Sequence, residues 1–250
     1  MIRKSFTKDD LNEVFKQIGG LLKESVEVFM VGGGAMAFRD QKTATKDLDL
    51  ILKNSKDFDV FTKAIGRMGF KEPVRVETPY RRMEANFLEK NGFRFDLFIE
   101  TVCGALKLSK SIVRRSQLLE VYGKLSVRIV SNEDVILFKG VTERPDDVND
   151  IYLIIRGSTI DWNVILKECE NQSGTRPFYG ALYNQLEDLE KKYGLTLPIT
   201  KKLQKLDEKE MIKEKYSEIK RKVTTHSETL KELKKLGFKE KEIKNVIKPS

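Results

Sequence analysis

Apolar residues recur at helical spacing between Lys8 and Glu24, with Leu11, Val14, Phe15, Ile18, Leu21 and Leu22 on one side, so the chain opens on an amphipathic helix. Val26 to Val31 (VEVFMV) is short, apolar and rich in β-branched residues, the pattern of a buried strand. Three glycines, Gly32, Gly33 and Gly34, lead into a short helix over AMAFRD, and a second strand, DLDLIL, follows from Asp47 to Leu52. Helical periodicity returns over 56–69 and stops at Gly69. The runs 81–90 and 93–100 flank Asn91-Gly92, and Asn-Gly between alternating segments predicts an antiparallel hairpin. A helical patch near 109–120 precedes a last strand, Leu125 to Val130, after which Ser131 caps a helix with Asp134 in its first turn.

Beyond that point the periodicity predicts only helices, over about 146–156, 161–171, 178–193 and 207–223, with a helix, Leu-Gly-Phe turn and helix closing the chain over 228–247. The expected class is therefore α+β, with a mixed-sheet domain over 1–157 and a helical domain over 158–250.

Composition narrows the function. The 250 residues are 40% hydrophobic and 34% charged, which is globular with a heavily charged surface. The start lacks an apolar leader and no run of about 18 apolar residues occurs, so the expected location is cytoplasmic, with no membrane partner. Cys103 and Cys169 are far apart and in no ligand spacing, and His226 is the single histidine. Serine, cysteine and zinc hydrolases normally need an imidazole, so carboxylates and cations must carry any chemistry. Of the net charge of +9, most lies in residues 201–250, with 16 Lys and Arg against 9 Asp and Glu. A basic helical domain suits a polyanion such as RNA, and a solvated Lys/Glu surface accounts for it equally well.

Asp47 and Asp49 stand two apart in one strand, so both carboxylates leave the same face, roughly 6 to 7 Å apart along the backbone. Two such anions repel unless a cation lies between them, and magnesium binds through one or two carboxylates plus substrate phosphates. An edge strand with a solvated polar face is the plain alternative. Context favours the site: the glycine turn lets backbone N–H groups approach a phosphate, and Asp96 in FRFDLFIE offers a third carboxylate. Three acids at one sheet edge beside such a turn describe a two-metal centre using Mg2+ or Mn2+.

The run Val31-Gly32-Gly33, thirteen intervening residues, then Asp47-Leu48-Asp49-Leu50 resembles the fingerprint of the nucleotidyltransferase superfamily that includes polymerase beta-like enzymes. The segment VGGGAMAFRDQKTATKDLDLIL looks especially like the AbiEii-type toxin branch, and the resemblance covers about 26–156. It implies a nucleotidyltransferase-type catalytic domain using a nucleoside triphosphate, with Asp47 and Asp49 as metal ligands and Gly32 and Gly33 on the triphosphate, joined by Gly34. Asp96 would be a third ligand or a base, and a later Lys and Asp would serve the site, with Lys139 and Asp147 or Asp150 as candidates. A surface lysine beside a helix-start aspartate explains those last residues equally well. Lys46, Arg81 and Arg82 are candidate phosphate neutralisers or plain solvated charge. The implied acceptors are tRNA or other RNA, or a protein hydroxyl, and the implied partner is an antitoxin.

Two rival readings stand beside this one. Gly32 to Ala37 also reads as G-x-G-x-x-A after a strand, a dinucleotide-binding signal with Asp49 as ribose ligand, although residues 35–45 leave barely two turns for the crossover helix. The other is a non-catalytic module of the same fold that binds nucleotide, RNA or a partner protein.

Overall fold

The computed structural model describes residues 4–72, 86–102, 104, 106–142, 144–172, 178–223 and 225–247. The chain begins with β1 (Phe6–Thr7) and α1 (Lys8–Leu21), β2 (Val26–Met30), α2 (Gly32–Phe38), β3 (Ala44–Thr45), β4 (Asp47–Leu52) and α3 (Ser55–Arg67). The hairpin β5 (Asn86–Lys90) and β6 (Phe93–Ile99) follows, then short β7 (Thr101–Val102) and β8 (Leu106–Lys107), α4 (Lys110–Arg115), β9 (Gln117–Tyr122) and β10 (Leu125–Ile129). Among the described residues seven helices follow: α5 (Asn132–Gly140), α6 (Pro145–Gly157), α7 (Trp162–Gln172), α8 (Tyr179–Tyr193), α9 (Thr200–Lys220), α10 (His226–Lys235) and α11 (Glu240–Val246).

Six strands form one mixed sheet in the order β5-β6-β4-β2-β10-β9. β4 runs parallel to β6 and antiparallel to β2, while β2 runs parallel to β10. The mixed α+β architecture expected from the periodicity is present. The antiparallel β2–β4 pair rules out the dinucleotide-binding reading, which requires a parallel crossover there.

The alternation of β4 explains its orientation. Leu48, Leu50 and Leu52 are fully buried, and Phe95, paired with Leu48, packs against Phe6, Phe61 and Phe70 under α3. Asp47 and Asp49, with opposite parity, therefore face away from that cluster. One apolar core runs from Phe6 through the sheet to Ile165, Leu182 and Leu203 of the helical half.

Several elements differ from expectation. The patch 109–120 is helical only over α4, and Gln117–Tyr122 is a strand that pairs antiparallel with β10 across Gly123 at φ 62°. Its turn is Gly-Lys rather than Asn-Gly, and its Leu118 and Val121 are exposed, so no clean alternation marks it. α9 starts at Thr200 rather than near 207, because its buried positions are few: Thr200, Leu203 and Ile212. The Asn91-Gly92 hairpin forms as expected, with both residues at positive φ (51° and 87°). Residues 81–85 of its first run, with Arg81 and Arg82, lie outside the described residues, as does Cys103.

Candidate active site

β4 and β6 bring the acids together in parallel register: Asp49 lies opposite Asp96, and Asp47 opposite Arg94. The acids stand on interior strands, since β5 covers the outer side of β6 and β2 the other side of β4; both the sheet-edge placement and the edge-strand alternative are thereby corrected. Asp47 and Asp49 are partly exposed, while Arg94 is buried beside Asp96. Its Nη2 donates to Asp96 Oδ2 at 2.6 Å and lies 3.1 Å from Asp47 Oδ2, its Nε lies 2.5 Å from Asp96 Oδ1, and the guanidinium sits 4.9 Å from the centre of the Phe87 ring.

Asp49 is different. Among the described residues its carboxylate has no hydrogen-bond or ion-pair partner, and burial, then the charge of Asp47, pushes its pKa up to about 6 against the pull of Arg144, Lys139 and Arg94. Asp96 is also raised, by burial first and then by Asp49, and the paired Arg94 does not offset this.

The glycine turn is built around the same carboxylate. Gly32 takes φ 60°, and a Cβ there would lie 2.3 Å from Asp49 Oδ2. At Gly33 a Cβ would lie 2.2 Å from Thr45 Oγ1, the hydroxyl that donates to the Asp47 carbonyl at 2.9 Å and so fixes the entry into β4. Gly34 is closed by Met30 and Leu48. The Val31 amide donates to the Asp49 carbonyl at 3.1 Å, and no side chain caps α2, so its first amides are not taken by a capping group. Gly32→Ala is expected to combine a left-handed strain of about 1–2 kcal/mol with displacement of Asp49. The check is a lower melting temperature together with weaker triphosphate binding.

A second charged cluster lies behind α2, which packs against α5. Lys139 is buried, with Nζ 2.6 Å from Asp147 Oδ1 and 2.7 Å from Asp150 Oδ2. Asp150 also accepts from Lys42 Nζ at 2.7 Å, and Asp147 from Thr142 Oγ1 at 2.6 Å. Burial pulls the Lys139 ammonium down, but the two carboxylates outweigh it and the net shift is upward. The surface-lysine alternative is thus corrected: both candidate aspartates hold one buried lysine, whose charge reaches Asp49.

A family model described as a nucleotidyltransferase of unknown function (DUF6036) matches residues 9–193. The chain belongs to this family. The matched stretch of this nucleotidyltransferase family runs from α1 through α8 and contains the glycine turn, the three acids, Arg94 and the Lys139 cluster. Among solved structures, a Thermotoga maritima protein to which nucleotidyltransferase activity is ascribed aligns over 50% of this chain and 80% of its own, at 13% identity and a TM-score of 0.36. That likeness is too low to carry an argument. No curated protein matches the chain.

Of the residues named from sequence, Asp47, Asp49, Asp96 and the glycines meet at one place, with Lys139 in the layer beside it. Lys46 is exposed and has no ion pair among the described residues. The cations that act on Asp49 are instead Arg144, Lys139 and Arg94, while Lys42 pairs with Asp150 in the second cluster. Arg94 was readable, because it shares the parity of Asp96 two residues later in an otherwise apolar strand. Lys42 and Arg144 lie in loops, where no periodicity assigns a direction.

Proposed function

We propose that this member of the nucleotidyltransferase family is a metal-dependent enzyme that moves a nucleoside monophosphate from a nucleoside triphosphate to a hydroxyl acceptor. The observation that carries this reading is the Asp49 carboxylate, which has no partner among the described residues, has its pKa pushed up to about 6 by burial and lies against the Gly32 turn. Two carboxylates on one strand face are a donor set that suits a hard divalent cation. Among the described residues no three acidic, histidine or cysteine side chains form a ready-made metal cluster, so phosphate oxygens and water would complete the coordination. Asp47 and Asp49 would hold Mg2+ or Mn2+, and the ion would supply charge neutralisation at the phosphates. Asp96 would join as a third ligand or act as a base only by releasing Arg94.

The chain's own residues do the rest. Backbone amides of Gly32, Gly33 and Gly34 meet the triphosphate, and Arg94, held by Asp96 beside Asp47, neutralises charge that develops on the phosphoryl oxygens. Lys139 and Arg144 add positive potential at Asp49. The acceptor oxygen attacks the α-phosphorus, the bond to the bridging oxygen of the β-phosphate breaks, and pyrophosphate leaves as the hydroxyl proton passes to a site carboxylate. Positioning and charge neutralisation supply most of the rate of such a transfer, so no imidazole is needed. His226 is engaged elsewhere, with Nδ1 2.8 Å from Tyr216 Oη.

RNA such as tRNA, or a protein hydroxyl, is the acceptor proposed, and the AbiEii-type resemblance adds a toxin role opposed by an antitoxin protein. Among the described residues no helix is long and apolar enough to cross a membrane.

The test is the pH dependence of melting without and with metal. Asp49 has a folded pKa of about 6 against an ordinary 3.8, so between these values the folded state keeps a proton that the unfolded state has lost. Stability contributed by that proton is present below about pH 4 and is lost as pH rises through 6. Ion-free protein is therefore expected to melt lower at pH 8 than at pH 5, and Mn2+ with a non-hydrolysable triphosphate to restore the melting temperature at pH 8. A melting temperature at pH 8 indifferent to both ligands would sink the reading.

A further inference from the structure

The C-terminal ends of β4 and β6 border a cavity of about 1000 Å3 lined by Lys53, Lys107, Lys110 and Arg114, with Glu100 as its acidic member. Lys107, Lys110 and Arg114 are exposed and have no carboxylate partner among the described residues; Lys53 pairs with Glu27. Three unneutralised cations around one concavity are a place of positive potential that a polyanion relieves.

The floor beneath them is fixed. Gln172 accepts from the Lys107 amide at 2.7 Å and donates to the Lys107 carbonyl at 3.1 Å, tying the end of α7 to β8. Its Nε2 also donates to Glu168, a buried carboxylate that accepts from Ser109 Oγ and Arg115 Nη2, each at 2.7 Å. Arg115 in turn reaches Asp134 at 2.6 Å on α5. At the strand ends the Glu100 amide donates to the Leu52 carbonyl at 2.8 Å, and its carbonyl accepts from Leu108 at 2.7 Å. A wall held from α5, α7 and both strands fixes the backbone from which these cations extend.

Position relates the cleft to the acids. Lys53 is four residues beyond Asp49, roughly 13 Å along the strand, and continues the parity of Asp47 and Asp49. Its Nζ lies 5.2 Å from the centre of the Phe29 ring, and Phe29 pairs with Ile51, so Lys53 joins the cleft to the sheet face that carries the acids.

We propose that this cleft is the docking site for the phosphodiester backbone of an RNA acceptor, a second phosphate-binding site separate from the triphosphate turn. The proposal rests on the nucleotidyltransferase reading for the meaning of the word acceptor. The lysines give point charges and Arg114 a planar fork that matches phosphate oxygens, so the grip is on the backbone rather than on base edges.

The experiment is fluorescence anisotropy of a labelled single-stranded RNA across a salt series, with the wild type, Lys107→Ala/Lys110→Ala/Arg114→Ala, and Lys205→Ala/Lys209→Ala/Lys241→Ala, which removes equal charge from exposed C-terminal positions. The cleft variant is expected to bind at least about tenfold more weakly at 0.1 M salt and to flatten the slope of log K against log salt by about 2, while the C-terminal variant stays near wild type. Circular dichroism confirms that each variant is folded. Equal losses in the two variants, or no RNA binding by the wild type, overturn the proposal. A cleft variant that loses ATP binding and keeps RNA binding overturns it too, by making the cleft a triphosphate subsite. RNA held through the cleft by a protein that transfers no nucleotide leaves the cleft standing and removes the enzymatic reading.

Discussion

Asp49→Asn is expected to lower nucleotidyl transfer by at least about 10^3-fold, roughly 4 kcal/mol of transition-state stabilisation, while making the ion-free protein more stable. The two effects have one cause. The Asp49 carboxylate has no partner among the described residues, and burial pushes its pKa up to about 6, so the folded state at pH 8 holds a charge that its surroundings do not support. Asparagine fills the same space without that charge. After discounting for partial solvent access, the gain at pH 8 is about 1–2 kcal/mol, and it shrinks towards zero below about pH 4. A variant more stable, less pH-sensitive and inactive is the pattern of a site residue kept at the expense of stability. The check is the melting temperature of wild type and variant from pH 4 to 8, beside their transfer rates.

Lys139→Met is expected to be the most destabilising single change in the charged layer. Lys139 holds Asp147 and Asp150 at once, and removing it leaves two buried carboxylates with, among the described residues, Thr142 on one and Lys42 on the other. Breaking one partner out of a buried pair costs about 3–5 kcal/mol, and the remaining partners place this case at the lower end, near 3 kcal/mol. For a chain of this size that lowers the melting temperature by roughly 6–12 °C. Adding Asp147→Asn to the variant removes one of the stranded charges and is expected to recover part of the loss. A melting temperature unchanged in Lys139→Met would show that the cluster is solvated and contributes nothing to the fold.

The hydrophobic pattern made the site's scaffold legible because two-residue periodicity assigns a face. Asp47 and Asp49 in DLDLIL could be oriented from sequence, as could the Asn91-Gly92 hairpin that carries Asp96. Strand order was not legible: only the sheet shows that Asp49 and Asp96 meet in parallel register on interior strands. Burial of ionic groups was also hidden, since Lys139 follows Phe138 in a helix buried nearly all round, where no polar face marks the lysine as exposed or enclosed. β9 escaped because its exposed Leu118 and Val121 break the alternation on which strand recognition depends. The short β1–β3 pair, which sets Thr45 against Gly33, is too small to leave a periodic signal. The division at residue 157 is proposed only as a domain boundary: the last strand already ends at Ile129, helices lie on both sides of 157, and the apolar core continues across it to Leu203.

The most direct measurement uses purified protein with Mn2+ or Mg2+, total RNA and nucleoside triphosphates labelled at the α- or the γ-phosphorus, beside Asp49→Asn. The account predicts that label from the α-position, and not from the γ-position, becomes attached to RNA or protein, that pyrophosphate is released in equal amount, and that both are lost in the variant. Transfer of the γ-label, or α-transfer undiminished in Asp49→Asn, would contradict it.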